Sequence, residues 1–143
     1  MIENNIEDKD FLGKVSEGFE HGDIVAMSAL NLAYIGDAVF EVMVRTAILK
    51  KNPLTPSALH NAAKTYVNAH AQSEMYHKLE EILTEVEMSV MRRGRNAKSQ
   101  TKAKNATIND YRHATGMEAL FGYLYMKNEI DRLMEIFEIC VEI

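Results

Sequence analysis

Tryptophan is absent from this chain, cysteine occurs once and proline only twice. A single cysteine, Cys140, cannot close an internal disulfide, which excludes a disulfide-stapled scaffold and suits a reducing cytoplasm. It stands between Ile139 and Val141, so it reads as core packing rather than as a nucleophile. Two prolines and seven glycines leave too few turns for an all-β fold. The main apolar stretch, residues 28–49, is broken by Asp37, Glu41 and Arg45. It therefore falls short of the ~18 uninterrupted apolar residues of a membrane span. No basic, apolar, small-residue signal opens the chain, so no membrane is expected and the expected place is the cytoplasm. A nucleophile elbow, a phosphate-binding glycine loop and a dinucleotide fingerprint are also missing. The five histidines, His21, His60, His70, His77 and His113, lack metal-finger spacing.

What is present is the composition of an ordinary globular protein, 47% hydrophobic and 26% charged, in a length of 143 residues that suits one domain. Charge is unevenly spread. Residues 91–109 hold six basic side chains and no acidic one, so the rest of the chain carries 10 basic against 21 acidic residues, a formal charge of −11. An acidic body with one basic segment points to a localised polyanion contact.

Apolar periodicity predicts helices throughout and no strand, so the expected fold class is all-α, a helical bundle over residues 1–143. Residues 1–9 read as a loose terminus, and 11–24 as a short helix weakened by Gly13, Gly18 and Gly22. A helix over 28–49 has Ser28 as its cap and ends at Asn52-Pro53. Being apolar on nearly every side, it is expected to be buried. Thr55-Pro56 opens a helical pattern that carries through Leu79. Thr84 to Glu87 has capping-box spacing and starts a helix ending near Met91. Residues 92–105 lack apolar period and are expected to form a basic loop; helix returns over 108–126, and Asn128 caps a last one.

Within the buried-helix pattern, Asp37 follows a glycine that costs about 1 kcal/mol relative to alanine inside a helix. That cost makes sense where another backbone or a ligand comes close to Gly36. A carboxylate among hydrophobics needs a cation, a metal or donors, which makes Asp37 the first catalytic candidate. Glu41 has an ordinary partner in Arg45, at the favourable i,i+4 spacing. Glu118 repeats the chemistry of Asp37: a lone carboxylate on an apolar helix, with Gly116 just before it. Brought together, Asp37 and Glu118 would suit Mg²⁺, which keeps several waters and takes few protein ligands. Alternatively Glu118 pairs with a base such as Arg112 or His113, and spacing does not decide between the two. Arg92, Arg93, Arg95, Asn96, Lys98 and Ser99 offer guanidinium, ammonium and small hydrogen-bonding groups suited to phosphate and ribose oxygens. Lys102 and Lys104 extend that segment, and the lack of aromatics within it favours a duplex over stacked single strands.

These residues resemble a known family. Tyr34-Ile35-Gly36-Asp37-Ala38-Val39 resembles the core signature of ribonuclease III, and Glu118-Ala119-Leu120-Phe121-Gly122-Tyr123-Leu124-Tyr125 looks like that family's second metal-binding helix. The wording of the first motif together with Arg92 to Ser99 is similar to the Mini-ribonuclease III branch, a catalytic domain without a double-stranded-RNA-binding domain. The resemblance implies a symmetric homodimer and Mg²⁺-dependent hydrolysis of double-stranded RNA, with Mn²⁺ as a substitute and with 5′-phosphate and 3′-hydroxyl products. It implies precursor 23S (large-subunit) ribosomal RNA as substrate and a ribosomal protein as accessory partner. Asp37 and Glu118 become catalytic metal ligands, with Glu41, Thr115 and Arg112 around them, and Asn68, Gln72, Tyr111 and Arg112 on the RNA-facing surface. Two departures stand out: where the wider family has a glutamate four residues before the aspartate, this chain has Ala33, and where it has an aspartate three residues before the glutamate, this chain has Thr115. Waters, the Thr115 hydroxyl or phosphate oxygens would then complete the metal shell. The alternatives are an inactive double-stranded-RNA-binding homodimer and a ribosome-assembly interaction protein.

Overall fold

A computed structural model describes residues 11–51, 55–98 and 107–143. Eight helices occur among them, with no strand: α1 (Phe11–Val15), α2 (His21–Ala26), α3 (Ala29–Lys51), α4 (Pro56–Lys64), α5 (Ala69–Leu79), α6 (Glu85–Asn96), α7 (Ile108–Met126) and α8 (Ile130–Cys140). The all-α expectation holds. Asn52 and Pro53, where α3 is expected to end, lie outside the described residues, as do residues 1–9.

The bundle is built round α7, which packs against α3, α5, α6 and α8. From Ala119 to Met126 it is apolar on every face, and Leu120, Phe121 and Leu124 are completely shielded from solvent. Phe40 of α3 meets Phe121 edge-on at 5.2 Å between ring centres and Phe137 of α8 at 6.1 Å, so three helices share one aromatic contact. Cys140 is buried in the same core, with its thiol pushed up to about 12 by burial, as core packing requires.

Side-chain caps set the helix starts. The Ser28 hydroxyl accepts from Asn31 N at 3.1 Å, Thr55 from Ala58 N at 3.3 Å with Pro56 at the first turn, and Thr107 from Asp110 N at 3.0 Å. Thr84 and Glu87 exchange both bonds of the capping box, at 2.9 and 3.2 Å. Glu87 is also buried, and both its oxygens accept from Arg132 of α8 at 2.9 Å, tying α6 to α8. Burial alone would raise the Glu87 carboxyl, but the Arg132 bond and the Thr84 amide hold it below the ordinary range.

Five expectations are corrected. The segment 11–24 is two short helices, because Gly18 adopts φ +103° between them. The pattern from 56 to 79 is also two helices. The Asn68 amide donates to the Lys64 and Thr65 carbonyls at 2.7 and 3.3 Å, while its oxygen accepts from Ala71 N at 2.8 Å, closing α4 and opening α5. Asn128 does not cap α8. It adopts φ +57°, and the bonds Asn128 N to Tyr125 O and Glu129 N to Leu124 O terminate α7 instead. Helix α6 runs on to Asn96, so Arg92 to Asn96 are helical rather than part of a loop. Finally, α3 is not buried all round: Tyr34 is 82% exposed, and Val42 and Leu49 also face out.

Candidate active site

Two glycines bring α3 and α7 together at backbone distance. A methyl group on Gly36 would lie 1.7 Å from the Glu118 carbonyl oxygen, and one on Gly122 would lie 1.9 Å from that of Leu32. Only glycine admits that crossing, and it explains the helix-interior cost at Gly36 through the approach of another backbone. Because the contact runs through Gly36 and Glu118 themselves, the neighbouring Asp37 side chain meets that of Glu118. Half-buried Glu118 has its carboxyl pushed up to about 8, first by burial, then by the charge of Asp37 and a hydrogen bond shared with it. Of the two partners considered for Glu118, the structure therefore supplies Asp37 rather than Arg112 or His113. Arg112 is exposed on α7, and Glu41 makes the expected surface pair with Arg45 at 2.6 Å.

Two carboxylates pressed together with no cation among the groups that act on Glu118 form a donor set that a divalent metal fits, because the metal would relieve their repulsion. No cluster of three or more acidic, histidine or cysteine side chains suited to a metal occurs among the described residues. Ala33 is buried without a donor of its own, and the Thr115 hydroxyl donates to the Tyr111 carbonyl at 3.0 Å within α7. Water or substrate oxygens would have to fill the remaining positions of Mg²⁺.

The basic end of α6 is locked against the same stretch of α7. A methyl on Gly94 would lie 2.8 Å from both Ala119 Cβ and Gly116 Cα, and one on Gly116 would lie 2.6 Å from the Met91 carbonyl oxygen. Gly94 thus takes the inward position of a helical stripe with Glu87, Val90 and Met91, leaving Arg92 and Arg93 exposed and Arg95 half-buried. Arg93 is partly committed to structure, donating to the Met27 carbonyl at 2.9 Å. Arg95 Nε donates to Asn96 Oδ1 at 3.1 Å, and Lys98 is exposed beyond the helix. Ser99, Lys102 and Lys104 lie outside the described residues. Of the loosely associated surface residues, Gln72 is buried, Asn68 is used as a cap and Tyr111 is half-buried. A ring cluster of Tyr76, His77 and His113 beside Arg95 had no signal in the spacing, since it joins α5 to α7 across distant segments.

A glycine-notched helix crossing thus pairs two carboxylates beside a basic helix end, and the comparisons with known proteins place the chain among nucleases of the ribonuclease III type. Residues 30–129 match the Ribonuclease III domain family. The Mini-ribonuclease 3 of Clostridium tetani is 47% identical over 136 residues, covering 94% of this chain and 88% of that one. The Mini-ribonuclease 3 of Enterococcus faecalis is 41% identical, covering 84% and 92%. A crystal structure of a protein from Fusobacterium nucleatum superposes with a TM-score of 0.74 at 31% identity, covering 82% of this chain and 93% of that one. The chain belongs to the ribonuclease III family, within its Mini-ribonuclease 3 branch, and is an endoribonuclease.

Proposed function

We propose that this endoribonuclease cleaves double-stranded RNA with Asp37 and Glu118 as the ligands of a catalytic Mg²⁺, leaving 5′-phosphate and 3′-hydroxyl ends. The observation that carries the reading is the enforced meeting of the two carboxylates at Gly36. When bound, the metal supplies an activated water and charge stabilisation at the scissile phosphate. Asp37 and Glu118 fix where that charge sits, and Glu118 gives up its proton as the metal enters. Arg92, Arg95 and Lys98 bind backbone phosphates, so they position the strand without reading sequence. Mn²⁺ substitutes because the ligands are oxygens alone.

The working unit we propose is a homodimer. Ile35, Ala38, Val39, Val42 and Met43 of α3 line an apolar groove with Tyr125 of α7 and Ile130, Leu133 and Met134 of α8, and the exposed Tyr34 stands on the same helix. An apolar face of this kind is suited to a second copy of the chain, each subunit cutting one strand. Precursor large-subunit ribosomal RNA is the substrate we assign, as the motif resemblance to the Mini-ribonuclease III branch implies, with a ribosomal protein as accessory and the cytoplasm as location. No helix among the described residues is long and apolar enough to cross a membrane.

The test is incubation with Mg²⁺ of a duplex RNA and of its separated strands. The duplex should be cut on both strands to 5′-phosphate products and the single strands left whole. Tight duplex binding with no cut would instead mark a silent binder, in which Ala33 and Thr115 in place of carboxylates have cost the chemistry.

A further inference from the structure

Two neighbouring residues near the C-terminal end of α6 attach it to both helices that carry the carboxylates. Gly94 abuts Gly116 and Ala119 of α7, between which Glu118 stands in the chain. Arg93, next to it, reaches the other helix: its guanidinium donates to the Met27 carbonyl at 2.9 Å, across 66 residues of sequence. Met27 closes α2 with an extended backbone, φ −64° and ψ 139°, so its carbonyl turns out of the helical ladder and takes a donor from elsewhere. The next residue, Ser28, caps α3 with its hydroxyl, and Asp37 stands on that helix. Arg93 thus satisfies a backbone acceptor at the root of the helix that presents Asp37. Helices α3 and α6 also touch directly. Arg95 differs, since its Nε bonds within its own helix, to Asn96 Oδ1.

We propose that Arg93 is a positioning residue: by pinning α6 to the α2–α3 link, it sets where the basic helix end, and the RNA strand on it, lies relative to Asp37 and Glu118. This deepens the duplex-RNA reading above and rests on it. Gly94 fixes how close α6 comes to α7, and Arg93 fixes how it is turned towards α3, so both carboxylate helices are referred to one helix end. Arg92, Arg95 and Lys98 carry the phosphates, while Arg93 holds the frame they stand on. A scissile phosphate misplaced by ~1 Å costs up to about a hundred-fold in rate. Affinity, set by the number of phosphates neutralised, is left nearly as it was.

The test is single-turnover cleavage of duplex RNA by Arg93→Met, which keeps the apolar stem and removes every donor, and by Arg93→Lys, which keeps a donor for the carbonyl. With enzyme in excess, the saturating rate reads chemistry and the half-saturating concentration reads binding. Arg93→Met should lower the saturating rate by about ten-fold, with half-saturation within about two-fold of wild type, and Arg93→Lys should recover most of the rate. Across a salt series Arg93→Met should keep the wild-type slope of log affinity against log salt, whereas Arg92→Met should flatten it by about one. Arg93 is exposed, so its loss leaves the core intact, and Arg93→Gln, too short to reach Met27, replaces Arg93→Met if that variant melts early. A raised half-saturation and a flatter slope at an unchanged rate make Arg93 a phosphate contact and overturn the proposal. A lowered melting temperature with rate and binding unaltered overturns it as well. If wild type itself leaves duplex RNA uncut, the duplex-RNA reading falls, and the positioning role with it.

Discussion

Glu118 is held partly out of water beside a second acid, and its behaviour follows from that placement. Burial and the neighbouring Asp37 push its carboxyl up to about 8. An acid whose folded-state value lies above its unfolded one stabilises the fold while protonated and loses that contribution as pH rises. Metal-free protein should therefore lose stability between the ordinary carboxylate range and about pH 8, and Glu118→Gln should remove that part of the slope. Thermal melts in a chelator across this range, comparing wild type with the variant, would show it; identical slopes would contradict the pairing. Added Mg²⁺ should restore stability most strongly at high pH, because the ligands bind it deprotonated. At this scale the sequence marked Asp37 as a carboxylate behind a glycine, but the burial expected for it is not found: Asp37 is exposed at the rim of the crossing, while Glu118 is the one held partly out of water. The sequence left the partner of Glu118 open between Asp37 and a base, because spacing along two separate helices says nothing about how they cross. The motif resemblance named the pair, and the Gly36 contact shows how the fold brings it together.

Helices meet here through missing side chains. Gly36 against Glu118, Gly122 against Leu32, and Gly94 against Gly116 let three helices touch at backbone distance, so the geometry of the carboxylate pair depends on atoms that are not there. Gly36→Ala should destabilise the fold by about 3 kcal/mol, since the obstacle is backbone that cannot rotate away. It should also lower cleavage more than the stability loss explains, by displacing Asp37 from Glu118. Denaturant unfolding and cleavage rates measured on the same samples separate the two effects, and a variant as stable and active as wild type would contradict the crossing. The same feature hid the last turns of α6 from sequence reasoning. Gly94 occupies the inward position that an apolar side chain would have marked, and the arginines around it read as loop. The hydroxyl caps Ser28, Thr55 and Thr84 were legible because cap chemistry is local. The break at Asn68 was not, because apolar residues at helical spacing continue across it on both sides.

For the whole molecule, an acidic body presents one basic helix end next to a carboxylate pair, while an apolar groove opens on the α3–α8 side. The exposed apolar residues of α3 contradicted the expectation of an all-round buried helix. A helix apolar on every face has to be covered somewhere, and the single chain covers only part of it. Val42→Glu, which puts a charge in the groove, should convert a dimer of twice the 16.2 kDa chain mass into a monomer. Light scattering after size exclusion reads this directly; a dimer that survives the charge would move the interface elsewhere.

The claim on which everything else depends is that Asp37 and Glu118 together hold the metal. Mn²⁺ titration followed by electron paramagnetic resonance, on wild type, Asp37→Asn and Glu118→Gln, tests it most directly and also counts the sites. Wild type should bind Mn²⁺ at a saturable site that each substitution weakens by at least ten-fold. If both variants bind Mn²⁺ as wild type does, the carboxylate pair is not the metal site and the catalytic centre lies elsewhere in the chain.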